Sequence, residues 1–253
     1  MTKVKIIGIS GSPRRGNTET IVKEALKAAE GLGNVETELI TLAGKRIQPC
    51  LADYQCAHKG TKDLPCPAQP DDDVNDILKQ ITSADGIIVG SPVYWGGVTA
   101  QLKALFDRSM SIEIQGKAFR NKVGGVVTVA IAVHGGQETT ALSIYLWMLI
   151  NDMIVVGPGP EIPAKGIGGL FCGATVQGFP YPIPTLEKGA HTAVLKDEIG
   201  LSSVVGVGKR VAEMAKIVKA GLKELPEEEL AWPDKGVSLE LFDHYKELKK
   251  INI

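Results

Sequence analysis

Little in this chain suits it to polyanions or lipid. Its 28 lysines and arginines are matched by 29 acidic residues, a net charge of −1, which argues against nucleic acid or an anionic membrane as the main partner. No apolar run approaches the ~18 residues of a membrane span. Met1 leads straight into a β-branched run with neither a charged n-region nor an apolar h-region, so no secretory signal is visible and a cytoplasmic protein is expected. Cysteine is scarce, at four residues. In a cytoplasmic chain these point to metal ligands or free thiols rather than a disulfide frame. Aromatic residues make up only 5%. The usual nucleotide loops are missing as well: there is no G-x-x-x-x-G-K-[ST], and no G-x-G-x-x-G opens a helix. The remainder is ordinary, 253 residues of which 44% are hydrophobic, enough for a sizeable core in one elaborated domain or two small ones.

What is present begins with Ile9-Ser10-Gly11-Ser12-Pro13-Arg14-Arg15-Gly16-Asn17-Thr18. A buried strand, Val4 to Ile9, precedes it. An amphipathic helix follows, with Ile21, Val22, Ala25, Leu26 and Ala29 on one face. A strand, a loop of small polar residues and a helix N-terminus in that order make an anion site, because unpaired N–H groups and hydroxyls converge there. Arg14 or Arg15 adds a fork of donors suited to a phosphate. The plainer reading of the same loop is a polar turn that caps its helix.

Further strands are expected at Val35–Leu42, Ala84–Val89, Val123–Val133 and Met153–Val156, with helices between them. Asp71-Asp72-Asp73 caps a helix carrying Val74, Ile77, Leu78 and Ile81. Other helices run through Ala100, Leu102, Leu105 and Phe106, over 139–150, and over Val204–Leu222. Strand and helix alternate, so the expected fold is α/β, a doubly wound parallel sheet of five strands with helices on both faces. Ligands of such sheets sit beyond the carboxyl ends of the strands, where three of the loops lie. One is the polar loop. The second, Ser91-Pro92-Val93-Tyr94-Trp95-Gly96-Gly97, offers backbone N–H groups and a flat apolar wall; Tyr94 and Trp95 read alternatively as core or interface aromatics. The third carries Gly135 and Gly136, where a backbone can approach a ring closely. A phosphate at one end and a flat ring at the other describe FMN better than a dinucleotide.

Ser10-Gly11-Ser12-Pro13-Arg14-x-Gly16-Asn17-Thr18 together with Ser91-Pro92-Val93-Tyr94-Trp95-Gly96 resembles the NADPH-dependent FMN reductase superfamily of flavodoxin-like proteins. Gly135-Gly136-Gln137-Glu138-Thr139-Thr140, Met153 to Gly157 and Lys196-Asp197-Glu198 narrow the likeness to the iron–sulfur flavoproteins. It covers about residues 3–157 and 190–222. The resemblance implies strand order 2-1-3-4-5, and a phosphate held by Ser10, Ser12, Arg14, Asn17 and Thr18. It implies that Pro92, Val93, Tyr94, Trp95 and Gly96 line the isoalloxazine and ribityl chain, with Gly135 and Gly136 near the ring. A homodimer or homotetramer is also implied. Residues 1–222 then form the FMN-binding domain, with a loop at 47–70 and a Gly/Pro-rich excursion at 158–189, and 223–253 form a C-terminal helical arm.

Three cysteines fall in the long loop 47–70, which has little periodicity. Family members with a cluster carry C-x2-C-x2-C and a fourth cysteine shortly after. Here the register reads Cys50-x2-Asp53-x2-Cys56, with Cys66 further on and Asp53 standing where the second cysteine would be. A [4Fe–4S] cluster on Cys50, Asp53, Cys56 and Cys66, a three-iron cluster, and His58 or Cys172 as fourth ligand all remain open. So do zinc and a degenerate loop of ordinary small residues. Cys172, between Phe171 and Gly173, reads as an isolated thiol, and His134, His58 and His191 as structural.

The expected activity is that of an FMN-dependent oxidoreductase. Its electrons come from NAD(P)H or from a ferredoxin-type donor through the cluster, and pass to a small-molecule acceptor. Flavin carries such chemistry itself, so no catalytic side chain is named. The alternatives are a cluster-free NAD(P)H-dependent quinone or FMN reductase, and a redox-sensing or electron-transfer module without turnover.

Overall fold

The computed structural model describes residues 2–159 other than 62, 115 and 117, then 173–178 and 190–230. The first half alternates strand and helix as its periodicity dictates. β1 (Val4–Ser10) leads to α1 (Asn17–Glu30) and β2 (Val35–Thr41). After the cysteine loop, with its short α2 (Gln55–Lys59), come α3 (Val74–Thr82), β3 (Gly86–Pro92) and α4 (Ala100–Glu113). β4 (Val123–Ala130), α5 (Gln137–Ile150) and β5 (Ile154–Val155) follow. β6 (Ala174–Gln177), a 3-10 turn at Ala190–Lys196, the long α6 (Glu198–Glu224) and a last 3-10 turn at Glu227–Glu229 complete the order.

The strands are parallel and ordered β2-β1-β3-β4-β5, the doubly wound order expected of a flavodoxin-like fold. Every residue of β4 is buried, as required of a strand covered on both faces. One core layer packs α3, α4 and α5 against the sheet, with Ile77, Leu105, Ile144 and Met148 among its members. The other packs α1 and α6, with Val22, Leu26, Val207 and Val211. Those two helices cross closely at Gly208, where a Cβ would lie 2.0 Å from the Ala25 carbonyl oxygen. On the opposite face Trp147 stacks on Phe106 with ring centroids 4.3 Å apart, and its Nε1–H donates to the Ser109 hydroxyl at 2.9 Å. α4 and α5 are thereby locked side by side, which fixes the loops that open them.

Four details differ from the expectation. β4 ends at Ala130, and 131–134 are exposed, because a strand that has passed the sheet edge has no neighbour to pair with. α6 begins at Glu198, where Asp197 Oδ1 accepts the Gly200 N–H at 2.8 Å. The fifth strand position is shared. β5 pairs Val123 and Gly124 of β4, and β6, in the stretch read as an excursion, pairs Val127 to Ala130 in the same parallel sense. Finally, two of the three aspartates before α3 divide the work. Asp72 Oδ1 accepts the Val74 N–H at 3.1 Å. Asp73 turns back to accept from Lys45 Nζ at 2.9 Å and the Arg46 N–H at 2.7 Å, and these bonds hold its carboxyl below the usual carboxylate range. The rest of the Gly/Pro-rich stretch, Cys172 and the tail from 231 lie outside the described residues.

Candidate functional site

The loops after β1, β3 and β4 meet at one edge of the sheet, and named bonds hold each to the next. The Gly11 N–H donates to the Gly90 carbonyl at 2.8 Å. The Thr99 hydroxyl, which caps α4 by accepting the Leu102 N–H, also donates to the Gly11 carbonyl at 2.6 Å. The Val93 N–H reaches the Val129 carbonyl at 2.9 Å. Between β3 and α4 the chain makes a tight turn in which Tyr94 and Gly97 pair with each other. Trp95 (φ 49°) and Gly96 (φ 80°) occupy its corners. Trp95 is fully exposed there, Tyr94 is 43% exposed, and Pro92 and Val93 are half-buried. The aromatics are thus no part of the core. A tryptophan held at positive φ on a turn tip presents its whole ring outward.

Loop three is organised by a residue outside the predicted set, Gln137. Its side chain is buried, accepts the Gly135 N–H at 2.7 Å and donates to the Ala132 and Val133 carbonyls at 2.8 and 3.2 Å. Gly136 (φ 97°) abuts the tryptophan turn, since a Cβ there would sit 3.1 Å from Gly96 Cα. In the polar loop Ser10, Ser12 and Thr18 are buried, and Arg14 and Arg15 are exposed. The Ser12 hydroxyl accepts the Arg14 N–H at 3.2 Å. No side chain caps α1, whose N-cap is Gly16. Asn17 is held by the far end of the sheet: its Nδ2 donates to the Gly178 carbonyl at 3.1 Å and its Oδ1 accepts the Val194 N–H at 3.4 Å. Its side chain ties β6 and the 3-10 turn to the polar loop, a role that no local sequence signal announces.

The cysteine loop stands at the same edge, beyond β2. Cys50 is exposed, Cys56 half-buried on α2 and Cys66 buried. Burial pushes the Cys56 thiol up from its ordinary value, and the negative charge of Cys66, then of Cys50, adds to the effect. Asn75 of α3 clamps Cys66 from both sides, accepting its N–H at 2.8 Å and donating to its carbonyl at 3.1 Å. The Asp53 carboxylate accepts the Gln55 N–H and Nε2–H, both at 3.1 Å, and its neighbours Ala52 and Tyr54 both have positive φ. Among the described residues no three His, Cys, Asp or Glu side chains converge as a closed ligand set. Beneath the loop lies a buried ion pair, Arg108–Asp72. Removal of one member would cost about 3–5 kcal/mol, because the other charge is left buried alone.

The model of the NADPH-dependent FMN reductases matches residues 4–162. The chain belongs to that family. An iron–sulfur flavoprotein of Methanocaldococcus jannaschii is 45% identical over 217 residues, 85% of this chain and 100% of its own. An NAD(P)H dehydrogenase (quinone) of Chromohalobacter salexigens is 28% identical over 215 residues, 85% of this chain and 98% of its own. A WrbA-like flavodoxin from Agrobacterium tumefaciens shares the fold, with a TM-score of 0.53 at 16% identity over 85% of this chain and 99% of that one. This FMN reductase family member thus has relatives called iron–sulfur flavoproteins and relatives called quinone dehydrogenases.

The residues present fit FMN. The Ser10 hydroxyl is buried without a partner, an expensive state unless a ligand oxygen supplies one. It lies at the root of a loop whose helix has no side-chain cap, which suits a phosphate. Thiols suit a metal centre by donor chemistry, but the described residues do not bring three such ligands together. No helix among the described residues is long and apolar enough to cross a membrane.

Proposed function

We propose that this protein is an FMN-dependent oxidoreductase of the iron–sulfur flavoprotein type, passing electrons between NAD(P)H or a ferredoxin-type donor and a small-molecule acceptor. The observation that carries the reading is the joining of three loops at one sheet edge, with the partnerless Ser10 hydroxyl at one end and the exposed Trp95 turn at the other. FMN, when bound, supplies hydride and single-electron chemistry. The chain's own residues bind and orient it. Ser10, Ser12, Arg14 and Thr18, with the N-terminus of α1, take the phosphate, and Asn17 sets the position of that helix relative to β6. Pro92 to Gly96 and Gly135–Gly136 form the wall beside the ring, with Gln137 and Thr139 fixing its shape. By the family likeness Cys50, Asp53, Cys56 and Cys66 are the candidates to hold a cluster, which would supply one-electron exchange.

Assembly as a homodimer or homotetramer accords with the outer face of α5, where Leu142, Leu146, Leu149 and Ile150 are all more than half exposed. This is an apolar stripe of the kind that associates. Leu146→Glu should lower the mass found by sedimentation, and an unchanged mass would exclude that face.

The test is reconstitution of apoprotein with FMN under anaerobic conditions, followed by iron and sulfide analysis and by reduction with NADPH, NADH or reduced ferredoxin. Flavin bound one per chain with iron and sulfide supports the reading; absence of flavin binding removes it. The second reading is a cluster-free NAD(P)H-dependent quinone reductase, favoured by the engagement of Asp53 with Gln55. It requires flavin without iron, and full turnover after replacement of all three loop cysteines by serine.

A further inference from the structure

The edge of the sheet opposite the flavin loops, where β3 and β4 begin, carries a cavity of about 260 Å³. It is walled by the turn before β4 and by the last turns of α6. Four cationic side chains line it, Arg120, Lys122, Lys219 and Lys223, against one carboxylate, Asp85. Val218 and Leu222 of α6 give it an apolar flank. β3 and β4 run the height of the sheet between this cavity and the loops that follow Pro92 and Ala130, so it is no part of the flavin site.

The lining is held in place by bonds of its own. Lys122 Nζ donates to the Thr82 carbonyl at 2.9 Å and to the Ala84 carbonyl. It thereby covers the carbonyls at the end of α3, which would otherwise repel an anion. Lys219 Nζ donates to Asp85 Oδ2 at 2.7 Å, and the same oxygen accepts the Lys5 N–H at 2.8 Å. The one acid of the lining is thus engaged twice. Arg120 and Lys122 flank Asn121, whose φ of 64° turns the chain between them. That turn is pinned, since the Asn121 N–H donates to the Asp152 carbonyl at 3.2 Å and the Lys122 N–H to the Phe119 carbonyl at 3.1 Å. Arg120, Lys122 and Lys219 are all half-buried, where charges act through less water than on an open surface. A preformed hollow with an excess of cations beside an apolar flank is suited to a small organic anion.

We propose that this cavity binds a small phosphate monoester with an apolar substituent. Arg120 offers the phosphate oxygens a fork of donors, Lys223 adds a charge at the rim, and the substituent lies against Val218 and Leu222. An excess of several cations favours a dianion over a monocarboxylate. The ligand leaves the polar loop after β1 to FMN, and the site does not depend on the flavin reading.

The test titrates phenyl phosphate by calorimetry into the full-length chain saturated with FMN, so that the loop after β1 is filled. At about pH 8 the monoester is a dianion. The wild type should bind it saturably at one site per chain, and should bind benzoate about tenfold more weakly or less. Lys223→Glu should weaken phenyl phosphate about tenfold or more, the effect of losing a charge-assisted bond. Leu222→Ser should weaken phenyl phosphate while leaving inorganic phosphate unchanged. Lys27→Glu, the same charge change on an exposed lysine of α1, is the control and should do neither. Leu222, Lys223 and Lys27 are all exposed, so melting temperature and FMN affinity should match the wild type throughout. No saturable binding by the wild type, benzoate bound as tightly, affinity within twofold of the wild type in Lys223→Glu, or an equal loss in Lys27→Glu would each overturn the proposal. If the chain takes up no FMN, the flavin reading falls, and the same titrations on the flavin-free chain still decide this site, because none of the substitutions touches the loop after β1.

Discussion

The Thr139 hydroxyl donates to the Gly96 carbonyl at 2.9 Å, so the helix that follows β4 holds the turn that follows β3. This bond sets the width of the wall beside the proposed ring site without adding to the core. Thr139→Val keeps the shape and removes the donor. A neutral hydrogen bond contributes about 1 kcal/mol. The expected outcome is FMN affinity weaker by about fivefold, with a melting temperature close to that of the wild type, measured by flavin fluorescence titration and calorimetry.

Gly136 is the other half of that contact. Its φ of 97° and the 3.1 Å that would separate a Cβ from Gly96 Cα both oppose a side chain. Gly136→Ala should destabilise the fold by about 1–2 kcal/mol and weaken FMN binding. Gly97→Ala is the control, because nothing lies within 4 Å of its Cβ position, and it should change neither. Chemical denaturation of both variants makes the comparison.

Ser10 separates stability from binding. Its hydroxyl is buried and partnerless, and deleting such a group removes a desolvation cost of about 1–3 kcal/mol. Ser10→Ala should therefore leave the apoprotein as stable as the wild type or more so, while FMN affinity falls at least tenfold. Equal FMN affinity in the two proteins would remove Ser10 from the phosphate site.

The Cys56 thiol is pushed up by burial, by Cys66 and by Cys50 in that order. The fold therefore favours its neutral form. The sign follows: this preference contributes stability below the unfolded thiol's pKa and loses it as pH rises through the higher folded value. At neutral pH Cys56 should react with iodoacetamide more slowly than a free thiol, with its rate still climbing above the ordinary thiol range. Cys66→Ser should move that profile to lower pH.

The parallel sheet was legible because it rests on local periodicity. Val4 to Ile9, Ala84 to Val89 and Val123 onward are apolar runs between turn residues, and the crossover rule leaves few ways to assemble them. The three loops were legible for the same reason, since they occupy the ends of those strands. The bonds joining them were not. Nothing local marks Thr99, and only the fold brings Gly11 beneath its hydroxyl. Asn17 reads as a phosphate ligand, and only the fold carries Gly178 and Val194 to it. Arg108 carries no signal at all: one cation on a helix looks solvent-facing until the limbs of a distant loop close over it. β6 was hidden because four residues, Ala174 to Gln177, are too short a run to show a period.

The shared fifth strand has a consequence for how this protein can diversify. β5 reaches Gly124 of β4, and β6 resumes at Val127. One more residue on each side sets Val156 opposite Gly125 and Gly173 opposite Val126, so the chain that departs and the chain that returns are in step. β4 alone therefore sets the register at this position. The segment at one end of β4 can change while the segment at the other end keeps its pairing.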